Sequence, residues 1–76
     1  MLEQKTLRIH GMSVHIRSLP SGDMVVWHPF NEEVRAVIEP VCRNRGRWNG
    51  EYNNWIVFRQ FREIVCTELE AEASSH

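Results

Sequence analysis

The chain has few of the features that mark enzymes, cofactor proteins or metal proteins. Its four glycines form no phosphate-binding loop, and we find no nucleophile–base–acid arrangement and no pair of carboxylates suited to acid–base catalysis. Cys42 and Cys66 lack a C-x-x-C spacing, and His15 and His28 have no third ligand at a suitable spacing along the chain. We therefore predict a protein without catalytic activity, cofactor or metal, whose two cysteines are reduced thiols rather than a disulfide.

Long hydrophobic runs and an excess of one charge are also absent. No stretch is long enough to span a membrane, and the first residues lack the charged and apolar regions of a secretion signal, so we expect a cytoplasmic protein. The net charge of −1 excludes a globally basic nucleic-acid binder. With 76 residues the chain is expected to form one domain over residues 6–70, between a disordered segment at 1–5 and a disordered acidic and polar tail at 71–76.

In the first part of the chain, apolar and polar residues alternate as they do in β-strands, and two strands are predicted there. Apolar residues fall on odd numbers up to Ile9 and on even numbers from Val14, which predicts one strand with a bulge or bend at Gly11. A reverse turn follows at residues 20–23. A hairpin centred there has these expected pairs: Ile16 with Trp27, Val14 with Pro29, Arg17 with Val26, and His15 with His28. The pairs put Trp27 on the buried face with Val14 and leave the arginine and both histidines outside.

A short amphipathic helix is predicted after Phe30. Its apolar positions have the i, i+3, i+4, i+7 spacing of one helical face: Val34, Val37, Ile38 and Val41. Asn31 is suited to cap the first turn through its side-chain oxygen, and two glutamates follow where the helix dipole favours negative charge. Pro40 either kinks this helix or ends it at Glu39.

A second hairpin and a second helix complete the predicted fold. Gly46 is suited to end the first helix in a left-handed conformation, and strands are expected at residues 47–48 and 54–58 around a polar turn. The second helix is predicted at residues 59–70, with an inner face of Phe61, Ile64, Val65 and Leu69. The result is an α+β fold, an antiparallel sheet in ββαββα order with both helices packed on one face.

Arginines are concentrated in one stretch of the chain. Residues 41–62 contain a single acid, Glu51, and five arginines: Arg43, Arg45, Arg47, Arg59 and Arg62. Guanidinium groups bind phosphates bidentately and stack on bases, and Trp48 and Tyr52 are aromatic neighbours suited to stacking. Together these residues are the predicted nucleic-acid-binding site. The alternative is a solvated loop whose arginines form ion pairs with nearby acids: Glu39, Glu51 and Glu63.

An aromatic pattern runs through residues 27–69. Phe30-Asn31 opens the first helix, Gly46-Arg47-Trp48 follows it, and Trp55 comes after a short polar turn. In this order the segment resembles the HARP domain of annealing helicases and the HARP-like modules of other DNA-processing proteins, which implies a DNA-binding role. Two features depart from the family pattern. Pro40 lies earlier than the proline often found just before the glycine, and the absence of a helicase core puts the family's remodelling activity beyond this chain by itself.

Two functions follow from these observations. The first is an accessory module that binds nucleic acid, with single-stranded or junction DNA as its ligand and a larger DNA-processing protein as its partner. The second is a protein-interaction or homo-oligomerisation module, such as a homodimer, that has no affinity for nucleic acid. It would use an exposed strand edge or the outer face that is expected to carry Arg17 and Val26.

Overall fold

Five strands and two helices make up residues 4–74, the part of the chain that the computed structural model describes. In chain order they are β1 (Gln4–Ile9), β2 (Met12–Ser18), β3 (Met24–Trp27), α1 (Glu32–Cys42), β4 (Gly46–Asn49), β5 (Asn54–Val57) and α2 (Arg62–Ser74), with a 3₁₀ turn at Arg59–Phe61 before α2. The α+β class is confirmed, but the order is βββαββα, with one strand more than predicted. Of the termini predicted to be disordered, residues 1–3 and 75–76 lie outside the described residues.

The additional strand arises at Gly11, where the sequence predicts one bent strand. His10 and Gly11 both have positive φ angles, 53° and 77°, and form a two-residue turn that closes a hairpin between β1 and β2. Two-residue turns of this kind match the twist of the flanking strands. Ile9 and Met12 pair directly across the turn, so the inward side changes from odd to even residue numbers. A bulge produces the same change of phase, which explains why the sequence pattern was ambiguous.

The hairpin between β2 and β3 is one residue out of the predicted register. Ile16 pairs with Val26 rather than with Trp27, and His15 pairs with Trp27 rather than with His28. Because side chains alternate between the two faces of a sheet, this slip inverts β3. Val26 is fully buried instead of lying on the outer face, and Trp27 takes the outer position.

The cause of the slip lies in the loop between these strands. The predicted turn at residues 20–23 has four residues, but the N–H of Leu19 donates to the carbonyl oxygen of Asp23 at 2.8 Å. Leu19 therefore lies opposite Asp23, whereas the predicted pairs place it opposite Met24, so the turn between the partners has three residues, 20–22, instead of four. One residue fewer in the turn shifts every cross-strand partner by one position.

The strands are antiparallel throughout and lie in the order β1-β2-β3-β5-β4. Both helices pack on one face, which we call the covered face, around a core of apolar residues: Ile9, Val14, Ile16, Met24, Val26, Val34, Ile38, Cys42, Val57, Val65 and Leu69. The other side of the sheet is called the open face below. Cys42 and Cys66 form no disulfide, as predicted, and Cys42 is buried while Cys66 is half-buried.

The start of α1 agrees with its sequence, and its end decides between the two alternatives that Pro40 left open. The side-chain oxygen of Asn31 accepts hydrogen bonds from the backbone N–H groups of Glu33 and Val34, at 3.0 and 3.1 Å, so the predicted cap is confirmed. The helix then continues through Pro40 to Cys42, so of the two predicted alternatives the end at Glu39 is wrong and continuation past the proline is correct. Pro40 is exposed, so its ring faces solvent in the last turns of the helix.

Gly46 does not have the predicted role of ending α1. The left-handed residue after the helix is Asn44, with a φ angle of 65°, and Gly46 begins β4. A Cβ atom at Gly46 would overlap the carbonyl oxygen of Ile56 and lie 2.8 Å from the Cα atom of Val57. Glycine is needed here because the backbones of β4 and β5 approach closely.

The buried stripe of α2 is narrower than predicted. Val65 and Leu69 are fully buried and Phe61 is half-buried, but Ile64 is 47% exposed. Val65 and Leu69 lie one helical turn apart, and their side chains mark the side of α2 that faces the sheet. Ile64 is rotated by about 100° from Val65 around the helix axis, which places it at the edge of the stripe.

Candidate functional site

Two of the predicted phosphate-binding arginines are engaged by glutamates. Arg43 donates to one carboxylate oxygen of Glu39 at 2.6 Å, as the ion-pair alternative expects, and Arg35 donates to the other oxygen at 2.9 Å. Arg45 forms an ion pair with Glu68 of α2. Hydrogen bonds from Arg35 and then Arg43 hold the pKa of Glu39 below its ordinary value, so its carboxylate stays ionised at neutral pH.

Arg59 and Arg62 lie elsewhere, beside the loop between β2 and β3. Arg62 donates to the hydroxyl oxygen of Ser18 at 2.6 Å and to the carbonyl oxygen of Gly22 at 3.2 Å. Arg59 uses its backbone N–H to donate to a carboxylate oxygen of Asp23 at 2.9 Å. Arg62 therefore ties the start of α2 to the sheet, and its guanidinium group has a structural role.

The other three predicted site residues are distributed over the second hairpin. Arg47 lies on the open face, whereas Trp48 lies on the covered side, where its ring meets that of Trp55 edge to face with centroids 5.6 Å apart. Tyr52 is 67% exposed in the turn between β4 and β5. The predicted residues are thus not brought together on one surface, and Arg47 is the one that occupies a strand position of the open face.

One row of the open face has an apolar middle with a cation on each side. Directly paired residues cross the five strands in the order Gln4, Arg17, Val25, Ile56 and Arg47. Arg17 and Arg47 are exposed, Val25 is 7% exposed and Ile56 is half-buried. Three interstrand spacings separate the two arginines, which corresponds to about 14 Å.

The adjacent row carries rings and amides in the order Thr6, His15, Trp27, Asn54 and Asn49. The rings of His15 and Trp27 are stacked, with centroids 5.3 Å apart and planes inclined by 29°, and the Thr6 hydroxyl lies 3.0 Å from Nδ1 of His15. The side-chain oxygen of Asn54 is buried without a hydrogen-bond partner in the described part of the chain. An unpaired buried acceptor costs free energy in the folded chain.

The charged groups of the open face are all positive. Besides Arg17 and Arg47 it carries Arg8, which donates to the carbonyl oxygen of Gly11 at 3.0 Å. None of the five strands contains Asp or Glu. Among residues 4–74, Arg17 and Arg47 make no ion pair and no side-chain hydrogen bond. Two guanidinium groups are therefore available to an external anion, and the strands that carry them supply no competing carboxylate.

Part of this surface follows from the sequence and part does not. Arg17 and His15 lie on an outer face as predicted, but Trp27 joins them only because the register differs from the expected one. The strand alternation placed Arg17 on the face of the protein-interaction alternative and not in the predicted nucleic-acid-binding site. The signal that could have identified the surface is the absence of acids from every segment with strand composition.

The fold and this surface define a small α+β module with a cationic and aromatic sheet face. The chain matches no known family model, and comparisons with curated proteins and with solved structures give no match either. Across residues 4–74, no three His, Cys, Asp or Glu side chains are grouped closely enough to hold a metal ion. Neither described helix is long and apolar enough to cross a membrane. The open face is therefore the main basis for a functional proposal.

Proposed function

We propose that this chain is a small, non-catalytic nucleic-acid-binding module and that the open face of its sheet is the binding surface. One observation carries the proposal. Two exposed arginines that form no ion pair with any residue of the described range 4–74, Arg17 and Arg47, flank an apolar and aromatic strip on a sheet whose strands contain no acid. This arrangement combines the two requirements of single-strand binding, positive charge for the backbone and flat surface for the bases.

The chemistry of the surface favours single-stranded nucleic acid over a duplex. Guanidinium groups bind phosphates bidentately, and phosphate contacts supply most of the affinity. Trp27, next to Val25 and Ile56, offers a platform on which unstacked bases can lie. In a duplex the faces of the bases are covered by their neighbours and cannot reach such a platform. In the proposed mode a strand crosses the sheet, with phosphates near the two arginines and bases on the strip between them.

The resemblance to HARP domains supports the same class of ligand. It favours DNA and an accessory role beside a larger DNA-processing protein. The cytoplasmic location expected from the sequence stays a prediction. The proposed phosphate ligands differ in part from those that the sequence pattern predicts. Arg47 is retained, whereas Arg17 takes the place of Arg43 and Arg45, because a phosphate at those two would compete with the carboxylates of Glu39 and Glu68.

The test is a fluorescence titration with a labelled single-stranded oligonucleotide at two salt concentrations. The double variant Arg17→Gln/Arg47→Gln is compared with Arg43→Gln/Arg59→Gln, which removes the same charge from two other exposed arginines. We expect the open-face variant to bind roughly tenfold more weakly or worse. Its affinity should also depend less on salt, with a slope lower by about 1.4, because two phosphate contacts are lost.

The matched control decides the outcome of this titration. We expect Arg43→Gln/Arg59→Gln to bind nearly as tightly as the unmodified chain, since neither residue lies on the open face. If both double variants lose affinity equally, net charge rather than the open face is responsible, and the proposed surface is wrong. If the unmodified chain has no salt-dependent affinity for either single- or double-stranded DNA, the proposed function is wrong.

A second candidate function, self-association or binding of a protein partner, is favoured by the sheet edges. β1 and β4 each have a neighbouring strand on one side only within the described residues. An unpaired edge can accept a strand from a second copy or another protein. Contact between two open faces is disfavoured, because it would oppose arginines. Light scattering separates the candidates: a mass near twice 9.0 kDa without DNA affinity supports the second.

A further inference from the structure

A groove of about 640 Å³ lies between the first turns of α1 and the β4–β5 hairpin. Four ring-bearing side chains and two carboxylates line it: His28, Phe30, Trp48, Trp55, Glu32 and Glu39. We call it the aromatic groove. Trp48 and Trp55 pair with each other on the covered side of the sheet, so the groove opens on the opposite side from the open face. It is therefore a separate site with residues of its own.

The aromatic walls of the groove meet at a steep angle. The rings of Trp48 and Trp55 are inclined by 70°, and the ring of His28 has its centroid 6.1 Å from that of Trp48. Phe30 is 95% exposed at the rim, so a large apolar surface is available to a ligand. Inclined walls surround a compact group from several sides, whereas a nucleobase stacks best on a ring parallel to it. This geometry suits a rounded cation such as a quaternary ammonium group.

The polar groups of the groove also favour a cation over an anion. Glu32 is exposed in the first turn of α1, and its carboxylate makes no hydrogen bond and no ion pair within residues 4–74. Asn31 already accepts from two N–H groups that an anion at this helix end would need. Arg35 also lines the groove. It donates to Glu39 at 2.9 Å, and Glu32 attracts it as well, while Glu39 also accepts from Arg43 outside the lining. Two carboxylates against one guanidinium group give the lining a net charge of −1.

We propose that the aromatic groove binds a methylated ammonium group on a lysine side chain of a partner polypeptide. Methylation keeps the positive charge, and aromatic rings attract such a cation through their negative faces. The volume of the groove exceeds that of one ammonium group and leaves room for the aliphatic stem, with Phe30 as an apolar contact. Phosphocholine carries the same cation, but its phosphate would lie near Glu32, which disfavours it.

This inference does not rest on nucleic-acid binding, because it concerns other residues on another side of the molecule. The indole N–H signals of the three tryptophans separate the two sites in an NMR titration. A short peptide with trimethyllysine is expected to shift the signals of Trp48 and Trp55 and to leave that of Trp27 in place. The same peptide with a neutral tert-butyl group in place of the trimethylammonium group should bind about tenfold more weakly.

Two matched pairs of variants test the roles of charge and ring. Glu32→Gln and Glu33→Gln each remove one carboxylate from the first turn of α1, but only Glu32 lines the groove. Glu32→Gln is expected to weaken binding of the trimethyllysine peptide about threefold and to leave the neutral peptide unaffected. Glu33→Gln should change neither. Trp48→Leu should abolish binding, and Tyr52→Leu, which removes an exposed ring outside the groove, should not.

Several results would overturn the proposal. Equal affinity for the charged and the neutral peptide would show a merely apolar groove. Shifts at Trp27 without shifts at Trp48 and Trp55 would place the contact on the open face. Equal effects of the two glutamine variants would remove the role of Glu32. Tighter binding of phosphatidylcholine vesicles than of the peptide would assign the site to a lipid headgroup instead of a methylated lysine.

Discussion

The two sides of the sheet differ in what their arginines contact. On the helix side, Arg43 and Arg45 are bound by glutamates, whereas Arg17 and Arg47 on the open face have no acidic neighbour in the strands. The difference arises because the strands contain no Asp or Glu, while both helices are rich in glutamate. The number of arginines in a segment therefore does not predict how well that segment binds phosphate groups. The position of the nearest carboxylate decides which guanidinium groups remain available.

The largest effect on stability is expected when the same substitution, isoleucine to alanine, is made once on each face of the sheet. Ile16→Ala removes a side chain that is 4% exposed beneath the helices, and Ile56→Ala removes a half-buried one on the open face. We expect Ile16→Ala to lower the free energy of unfolding by about 2–5 kcal/mol. Ile56→Ala should cost less than about 1.5 kcal/mol, because part of its surface is already in water. Urea denaturation measures both, and equal losses would show that the open face is covered after all.

The next comparison is between the guanidinium group of Arg62, which is hydrogen-bonded within the fold, and that of Arg47, which is available to a ligand. Arg62→Ala removes hydrogen bonds to Ser18 and Gly22 and should lower the free energy of unfolding by about 1.5–3 kcal/mol. Arg47→Ala removes no such contact and should change it by less than about 0.5 kcal/mol. DNA affinity is expected to follow the reverse order once the Arg62 variant is measured under folding conditions. If Arg47→Ala lowered the free energy of unfolding as much as Arg62→Ala, the Arg47 side chain would also have a structural role and would not be available to a ligand.

Local signals account for the parts of the fold that were predicted. Asn31 caps α1 as expected because capping depends on residues within one turn, and both helices pack on one face because their apolar spacing is regular. The register of β3 was not predictable, because it depends on whether Asp23 belongs to the turn or, as observed, lies opposite Leu19. The ion pair between Arg45 and Glu68 joins residues 23 positions apart, so no local pattern shows that this arginine is engaged. The resemblance to HARP domains stays a prediction.

A smaller effect is expected from Cys42, the last residue of α1, whose side chain is buried in the core. Burial raises the pKa of its thiol to about 12, and the nearby charge of Arg45 opposes this only in part. In the unfolded chain the thiol ionises near its ordinary pKa of about 8.5. The neutral thiol thus contributes stability fully below that value, and the contribution is lost as the pH rises toward about 12.

The difference in unfolding free energy between the unmodified chain and Cys42→Ala should therefore shrink by about 1 kcal/mol between neutral pH and about pH 9.5. Urea denaturation of both proteins at the two pH values isolates the thiol, because all other titrating groups are shared. A constant difference would mean that Cys42 is accessible to solvent in the folded protein. The packing assigned to the covered face would then be wrong.

NMR chemical-shift mapping with a single-stranded oligonucleotide tests the central claim most directly. If the open face binds nucleic acid, the side-chain N–H signals of Arg17, Arg47 and Trp27 shift on titration, and those of Arg43 and Arg45 keep their positions. Shifts concentrated at Arg43 and Arg45, with the signals of the open face unchanged, would contradict the account and return the site to the turn between α1 and β4.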